Sequence, residues 1–149
     1  MEMFSENRRA KFDYEILDTL EAGIVLHGFE VKSVRLGRMN LAGSHVLVRE
    51  NELWLLNADI PPYQPNNTPK EYESTHTRRL LAKKDEIKAL IGKQKSAGLT
   101  LVPFKVYNKA GLIKVLVGLA KSKKKGDKRE AIRKREAKRE MARTLKTSH

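Results

Sequence analysis

Apolar and polar residues alternate over several short stretches of this chain, a pattern typical of half-buried β-strands. The first stretch has a slip in the alternation around Leu17–Thr19, which predicts a bulge. The next two stretches are separated by Glu50-Asn51-Glu52, which predicts a hairpin turn. The last two are separated by Asn108-Lys109-Ala110-Gly111, another turn-forming set, and Pro103 favours an edge or a bulge in its strand. The predicted strands are residues 11–26, 45–50, 53–58, 99–107 and 111–119.

Helical spacing occurs in two places. Apolar residues between Phe29 and Leu36 predict a short helix that ends at Gly37. A second helix is predicted from Leu80 and Leu81 to Ile91, closed by Gly92 or continued to Gly98. Residues 61–75 hold four of the five prolines and predict a long loop, and residues 1–8 are expected to be loose.

About five short strands and two helices with hairpin connections predict a small, mainly β barrel. An oligonucleotide-binding (OB) fold-like Greek-key barrel fits this pattern better than a sandwich or a parallel sheet. Such barrels commonly bind single strands or irregular RNA.

The charge is concentrated at the C-terminal end. The chain has 149 residues and a net charge of +13; residues 121–149 contribute +9 and residues 1–120 only +4. The last 29 residues contain no aromatic residue, so we expect a basic tail that is disordered or loosely helical when free, beginning after Ala120. Nucleic acid is the favoured partner because neutralised phosphates release counterions. A solubilising extension is the simpler alternative, and the thin apolar face argues against a membrane.

Enzymatic and metal-binding motifs are absent from the sequence. There is no cysteine, no nucleotide-binding glycine motif and no hydrolase motif. None of the four histidines pairs with another at a metal-ligand spacing: His27, His45, His76 and His149. The sequence thus predicts a protein that is not an enzyme and has no metal or cofactor, and its apolar runs are too short to span a membrane.

Three separated segments carry a family resemblance. Residues 7–41 (NRRAKFDYEILDTLEAGIVLHGFEVKSVRLGRMNL), 75–87 (THTRRLLAKKDEI) and 118–130 (GLAKSKKKGDKRE) are similar, in this order, to the motifs of the SsrA-binding protein (SmpB) family. The resemblance extends from about Asn7 to Leu145. It implies an OB-fold barrel (residues 1–120) that binds the tRNA-like domain of transfer-messenger RNA (tmRNA), and a basic tail (residues 121–149).

The resemblance also implies a cellular role. The protein and tmRNA together would rescue stalled ribosomes by trans-translation in the cytoplasm. The tail would fold into a helix in the 16S rRNA decoding site and the mRNA channel. Charge and pattern alone leave a second hypothesis, a general ribosome-associated or ribosomal protein with a basic rRNA-binding extension.

The family motifs imply specific RNA-binding positions. Asn7 suits a base or sugar edge, Glu21 would accept from base amino groups or orient an arginine, and Lys114 would attract phosphate. Tyr14 and Leu81 are implied as well, although both also fit core positions. The expected ribosome-contacting tail residues are Lys121, Lys123, Lys124, Asp127, Lys128 and Arg129. Gly126 and Ala137 stand where family members can carry stacking side chains, so charge and helicity should carry more of the tail's interaction here.

Overall fold

Seven strands and four helices are formed by residues 2–95, 99–123 and 132–141, the parts of the chain that the computed structural model describes. The strands are β1 (Met3–Glu6), β2 (Tyr14–Ile24), β3 (His45–Arg49), β4 (Glu52–Leu56), β5 (Arg78–Leu81), β6 (Thr100–Lys109) and β7 (Leu112–Ser122). The helices are α1 (Arg8–Asp13), α2 (Gly28–Arg35), α3 (Lys84–Lys95) and α4 (132–141), and Pro65–Asn67 form a short 3-10 turn.

Six strands close into an antiparallel barrel in the order β6-β3-β4-β5-β2-β7, and β7 pairs back onto β6. β6 also accepts β1, so it has three neighbours along its length. A register irregularity between Pro103 and Lys105 separates the part of β6 that pairs with β3 from the part that pairs with β1. Proline has no N–H for the ladder, which explains why the predicted bulge lies there. The prediction of a mainly β, OB-fold-like barrel is confirmed.

Both predicted hairpins are confirmed, and their turns have the backbone that tight hairpins need. Glu50 and Asn51 have φ of 53° and 62°, and Ala110 and Gly111 have φ of 51° and 80°. Two successive positive φ values match the right-handed twist of the flanking strands. The predicted helix before Gly37 is also confirmed, and Gly37 has a φ of 76°.

The N-terminal region differs from its prediction. Residues 3–6 are not loose but form an edge strand, and α1 replaces the start of the predicted long strand. The side chain of Asn7 accepts a hydrogen bond from Ala10 N and caps α1, a local signal that the alternation of Phe12, Tyr14 and Ile16 concealed. β2 then begins at Tyr14, with its irregularity between Ile16 and Asp18 as predicted.

The prediction that Leu80 and Leu81 open a helix is wrong. They lie in β5, where Leu80 pairs with Leu53 and Leu81 pairs with Gly23, and the helix begins at Lys84. A strand of four residues is too short to show a clear alternation of apolar and polar positions, and the helical spacing of the next segment masks it. The conformation of these residues is decided by pairing with distant strands.

The core is formed by alternating inward side chains of the barrel strands, joined by Val34 of α2 and by Ile87 and Leu90 of α3. Fully buried members include Leu53, Leu55, Val106, Val115 and Val117. Two charged side chains are equally buried: Glu30 of α2 and Arg78 of β5 form an ion pair with an N–O distance of 2.7 Å.

The C-terminal region also departs from its prediction. β7 continues to Ser122, two residues past the expected boundary, because its partner β2 extends to Tyr14. Residues 132–141, expected to be disordered or loosely helical when free, are helical, and all their side chains are exposed. This stretch consists mostly of Lys, Arg, Glu, Ala and Met, which are strong helix formers. Its Arg135 guanidinium lies 5.7 Å from the centre of the Phe12 ring.

Among the described residues, no helix has the length and apolar composition needed to cross a membrane.

Candidate nucleic-acid interface

Three of the residues implied by the family motifs meet on the outside of the barrel. Gly23 of β2 pairs with Leu81 of β5 on one side and with Lys114 of β7 on the other. Glu21 lies two residues before Gly23 and therefore projects from the same side of β2. Their strand neighbours Ala22 and Val115 are fully buried in the core. Glu21, Leu81 and Lys114, separated by up to 93 positions in sequence, thus form one surface.

The carboxylate of Glu21 is held from two directions. The Tyr107 hydroxyl donates a hydrogen bond to Oε2, and Lys109 Nζ donates to Oε1 at 3.0 Å. The Tyr107 hydrogen bond, and then the Lys109 ammonium, lower the pKa of Glu21 below its usual value of 4.5. Burial and the same hydrogen bond raise the pKa of Tyr107, so the hydroxyl keeps its proton. At neutral pH the surface therefore carries an oriented carboxylate beside the ammonium groups of Lys109 and Lys114.

Glu21, Tyr107, Lys109 and Lys114 are called the Glu21 face below. β6 and β7 place Tyr107 directly opposite Lys114, and β2 supplies Glu21. Lysines attract phosphate without fixed geometry, whereas a carboxylate held by two donors keeps acceptor positions in a defined direction. The lysines of this face can therefore attract the phosphate backbone of an RNA, while Glu21 recognises a hydrogen-bond donor such as a base amino group or a ribose 2′-hydroxyl.

An apolar groove adjoins the Glu21 face. It has a volume of about 390 Å³ and is lined in part by Gly23, Leu81, Leu112 and Lys114. Leu81 is 48% exposed and Leu112 is 59% exposed, so Leu81 is not a core residue. Exposed leucines beside a lysine offer an apolar contact for a base or sugar next to a contact for its phosphate.

Asn7 and Tyr14 line a different groove, of about 640 Å³, near the start of β2. Seven residues of strand separate Tyr14 from Glu21, a distance of about 23 Å. Asn7 is buried, and its Nδ2 donates to Pro103 O at 3.0 Å, so its amide is turned inward. Tyr14 packs partly against the small cluster around Phe104. The structure thus separates these two residues from Glu21, Leu81 and Lys114.

The basic residues expected to belong to the tail are divided. Lys121 lies in β7 opposite Glu15, and the backbone N–H of Lys123 donates to Asp13 O at 2.9 Å, so both are attached to the barrel. Lys124, Asp127, Lys128 and Arg129 lie outside the described residues, as does Gly126.

Sequence reasoning missed Tyr107 and Lys109. Tyr107 ends the predicted strand 99–107, whereas Lys109 was predicted to lie in the turn and instead ends β6. Tyr107 is 7% exposed and lies opposite Lys114, so its ring is mostly covered. The contacts of Tyr107 and Lys109 with Glu21 span 86 and 88 positions, which no local pattern reports.

Comparison with known proteins points to the same family as the sequence motifs. The family model for SmpB protein matches residues 4–147. An SsrA-binding protein of Trichodesmium erythraeum is 49% identical over 144 residues, 97% of this chain and 92% of the relative. One from Enterococcus faecalis is 47% identical over 146 residues, 98% of this chain and 94% of the relative. A solved chain from work described as "tmRNA-SmpB: a journey to the center of the bacterial ribosome" is 46% identical and superposes with a TM-score of 0.66, covering 86% of this chain and 93% of the other.

Proposed function

The chain belongs to the SmpB family, and we propose that it binds tmRNA and acts with it on the ribosome in trans-translation. The observation that carries this proposal is the match over residues 4–147, which includes both the barrel and the basic C-terminal segment. The relatives are SsrA-binding proteins, and the solved relative comes from work on tmRNA and SmpB in the ribosome. The role is RNA binding rather than catalysis, and a cytoplasmic location is part of the proposal.

We assign the contact with the tRNA-like domain of tmRNA to the Glu21 face and the adjoining groove. Lys109 and Lys114 neutralise phosphates, and Leu81 and Leu112 pack against a base or a ribose. Glu21 accepts a hydrogen bond from the RNA in the direction set by Tyr107 and Lys109. A carboxylate repels phosphate, so its presence among lysines favours a folded RNA that brings a donor to this point over an arbitrary strand.

Asn7 and Tyr14 have a different part in this proposal. The Asn7 amide is used by Ala10 N and Pro103 O, so Asn7 acts by fixing α1 against β6. Tyr14 packs against the small cluster around Phe104 and lines the neighbouring groove. Replacement of either residue should therefore weaken RNA binding through the position of α1.

For the basic C-terminal segment we propose the decoding site of 16S rRNA and the mRNA channel as the binding place. The exposed helix 132–141 has basic side chains around most of its circumference, which suits a channel lined by phosphates. Lys121 and Lys123 are held on the barrel at the end of β7. Lys124, Asp127, Lys128 and Arg129 follow directly in sequence.

Equilibrium binding to tmRNA and to an ordinary tRNA at 150 mM salt tests the proposal. We expect at least tenfold preference for tmRNA, which corresponds to ~1.4 kcal/mol. Glu21→Gln should lower tmRNA affinity about tenfold with little change in salt dependence, because a lost hydrogen bond to a charged group releases no counterion. Lys114→Ala should lower the salt slope by about one.

A matched control is Glu52→Gln. Glu52 is partly exposed and paired with a basic residue, Arg79, as Glu21 is with Lys109, but it lies on β4. This variant should bind tmRNA like the native chain. Equal affinity for tmRNA and tRNA would favour the general ribosome-associated protein instead, and equal effects of the two glutamate variants would remove the Glu21 face from the interface.

A further inference from the structure

The fold brings together two histidines and a glutamate that could hold a metal ion, a group that the sequence spacing does not indicate. His27 precedes α2, Glu30 lies in its first turn, and His76 lies in the loop before β5. One ligand atom from each lies within 4.8 Å of the others. The two histidines are 49 positions apart, so no local motif reports their proximity.

His76 has an oxygen atom opposite each of its ring nitrogens. Nδ1 lies 3.1 Å from the carbonyl oxygen of Thr77, and Nε2 lies 3.0 Å from Oε2 of Glu30. A neutral imidazole carries one N–H, so it can satisfy only one of these oxygens as a donor. If Nδ1 donates to the carbonyl, the position between Nε2 and Glu30 requires a cation, either a second proton or a metal ion. A backbone carbonyl on Nδ1–H is the usual arrangement behind a metal-bound histidine.

Glu30 is held in the way that a ligating carboxylate usually is. Its side chain is fully buried; Arg78 Nε donates to Oε2 at 2.8 Å, and the Tyr72 hydroxyl donates to the same oxygen at 3.0 Å. Oε1 accepts from the backbone N–H of His27 at 2.9 Å. Hydrogen bonds of this kind orient metal-binding carboxylates.

The surroundings provide negative charge and an open side. A groove of about 240 Å³ is lined by His27, Glu71, Tyr72, Glu73 and His76. Glu71 and Glu73 are exposed carboxylates, which offset the positive charge that Arg78 brings to Glu30. The His27 ring is exposed and stacks on the Phe29 ring, with 5.5 Å between the ring centroids.

We propose that His27, Glu30 and His76 bind a Zn²⁺ ion. Two imidazole nitrogens and a carboxylate oxygen are an established zinc ligand set, with bond lengths of about 2.0–2.2 Å. The 3.0 Å between His76 Nε2 and Glu30 Oε2 is close to the ~3.3 Å that separates two ligands on one tetrahedral ion. The fourth position faces the groove, where water or an exposed carboxylate completes the coordination. The site does not depend on RNA binding.

Titration of the full-length native chain with Zn²⁺ at pH 7.5, in competition with a chromophoric chelator, tests this site. We expect one ion per chain, at least tenfold weaker binding in His27→Ala, and loss of the site in His76→Ala. The control is His45→Ala, which removes an exposed imidazole from β3 and should leave the affinity unchanged. Co²⁺ in place of Zn²⁺ should give the visible spectrum of a tetrahedral nitrogen–oxygen site, and His27→Ala should remove it.

His27→Ala decides the result if His76→Ala does not fold, because the His27 side chain is exposed. Absence of stoichiometric binding would overturn the proposal, as would binding that His27→Ala leaves unchanged. Imidazole NMR that shows protons on both nitrogens of His76 in the presence of Zn²⁺ would show that the cation is only a proton, and would overturn it as well.

Discussion

Residues 1–120 carry 18 basic and 14 acidic side chains, whereas residues 121–149 carry 13 basic and four acidic ones. In the barrel, carboxylates are held by partners: Glu30 by Arg78, Glu21 by Tyr107 and Lys109, and Asp18 by Lys93. In the helix 132–141 every side chain is exposed. Charges held in a fixed arrangement can recognise a folded RNA, while an excess of exposed cations provides attraction that depends mainly on salt.

The division of labour predicts that the C-terminal segment is needed on the ribosome but not for tmRNA binding. Removal of residues 124–149 leaves β7 intact through Ser122, so the barrel should fold as in the native chain. Tagging of a nascent chain on a stalled ribosome should be abolished, because the cationic segment that we propose to enter the ribosome is missing. The measurement is tag addition in a reconstituted translation system, with cooperative thermal unfolding as the control. Tagging above a tenth of the native level would contradict the division.

The buried ion pair should matter more to stability than the exposed one. Glu30→Ala leaves Arg78 buried without its carboxylate, and we expect a loss of about 3–5 kcal/mol in the free energy of unfolding. Glu52→Ala breaks the exposed pair with Arg79 and should cost about 1 kcal/mol or less. Urea denaturation in the presence of a chelator measures both. Equal losses would show that Glu30 and Arg78 do not act as a buried pair.

Tyr107→Phe sharpens the role of the Glu21 face. It removes the hydroxyl that donates to Glu21 but retains the ring, so the carboxylate stays charged and becomes less well oriented. We expect tmRNA affinity to fall about threefold, less than for Glu21→Gln, with an unchanged salt slope. Combining Tyr107→Phe with Glu21→Gln should add little to the effect of Glu21→Gln alone. Fully additive losses would mean that Tyr107 does not act through Glu21.

The smallest expected effect is the pH dependence of the Glu21 face. Because the folded-state pKa of Glu21 is lowered, its stabilising contribution is complete above the usual value of 4.5 and is lost as the pH falls through the folded pKa. The difference in unfolding free energy between the native chain and Glu21→Gln should therefore stay constant from pH 7 to pH 5 and shrink below 4.5. Urea denaturation as a function of pH measures it, and a difference that changes between pH 7 and pH 5 would contradict the account.

Local sequence signals predicted the parts of the fold that local chemistry determines. The turns at Glu50-Asn51 and Ala110-Gly111, the end of α2 at Gly37 and the bulge at Pro103 all depend on a few neighbouring residues. Leu80 and Leu81 were misassigned because their strand exists through pairing with β2 and β4. The N-terminal strand was missed because it is an edge strand formed by pairing with β6.

The candidate interface was predictable to a similar extent. Family motifs supplied Glu21, Leu81 and Lys114, and the barrel register explains why these three lie together. The same motifs could not show that the side-chain amide of Asn7 is hydrogen-bonded within the protein, to Pro103 O and Ala10 N. Tyr107 and Lys109, which orient Glu21, and the His27–Glu30–His76 group depend on contacts across 46 to 88 positions of sequence.

The most direct measurement compares the tmRNA affinity of the full-length chain with that of residues 1–123 at 150 mM salt, with an ordinary tRNA as competitor. The account predicts that the two dissociation constants agree within tenfold and that both proteins prefer tmRNA, because the barrel holds the recognition surface. A loss of more than tenfold on truncation, or of the preference for tmRNA, would show that the cationic segment rather than the barrel recognises the RNA.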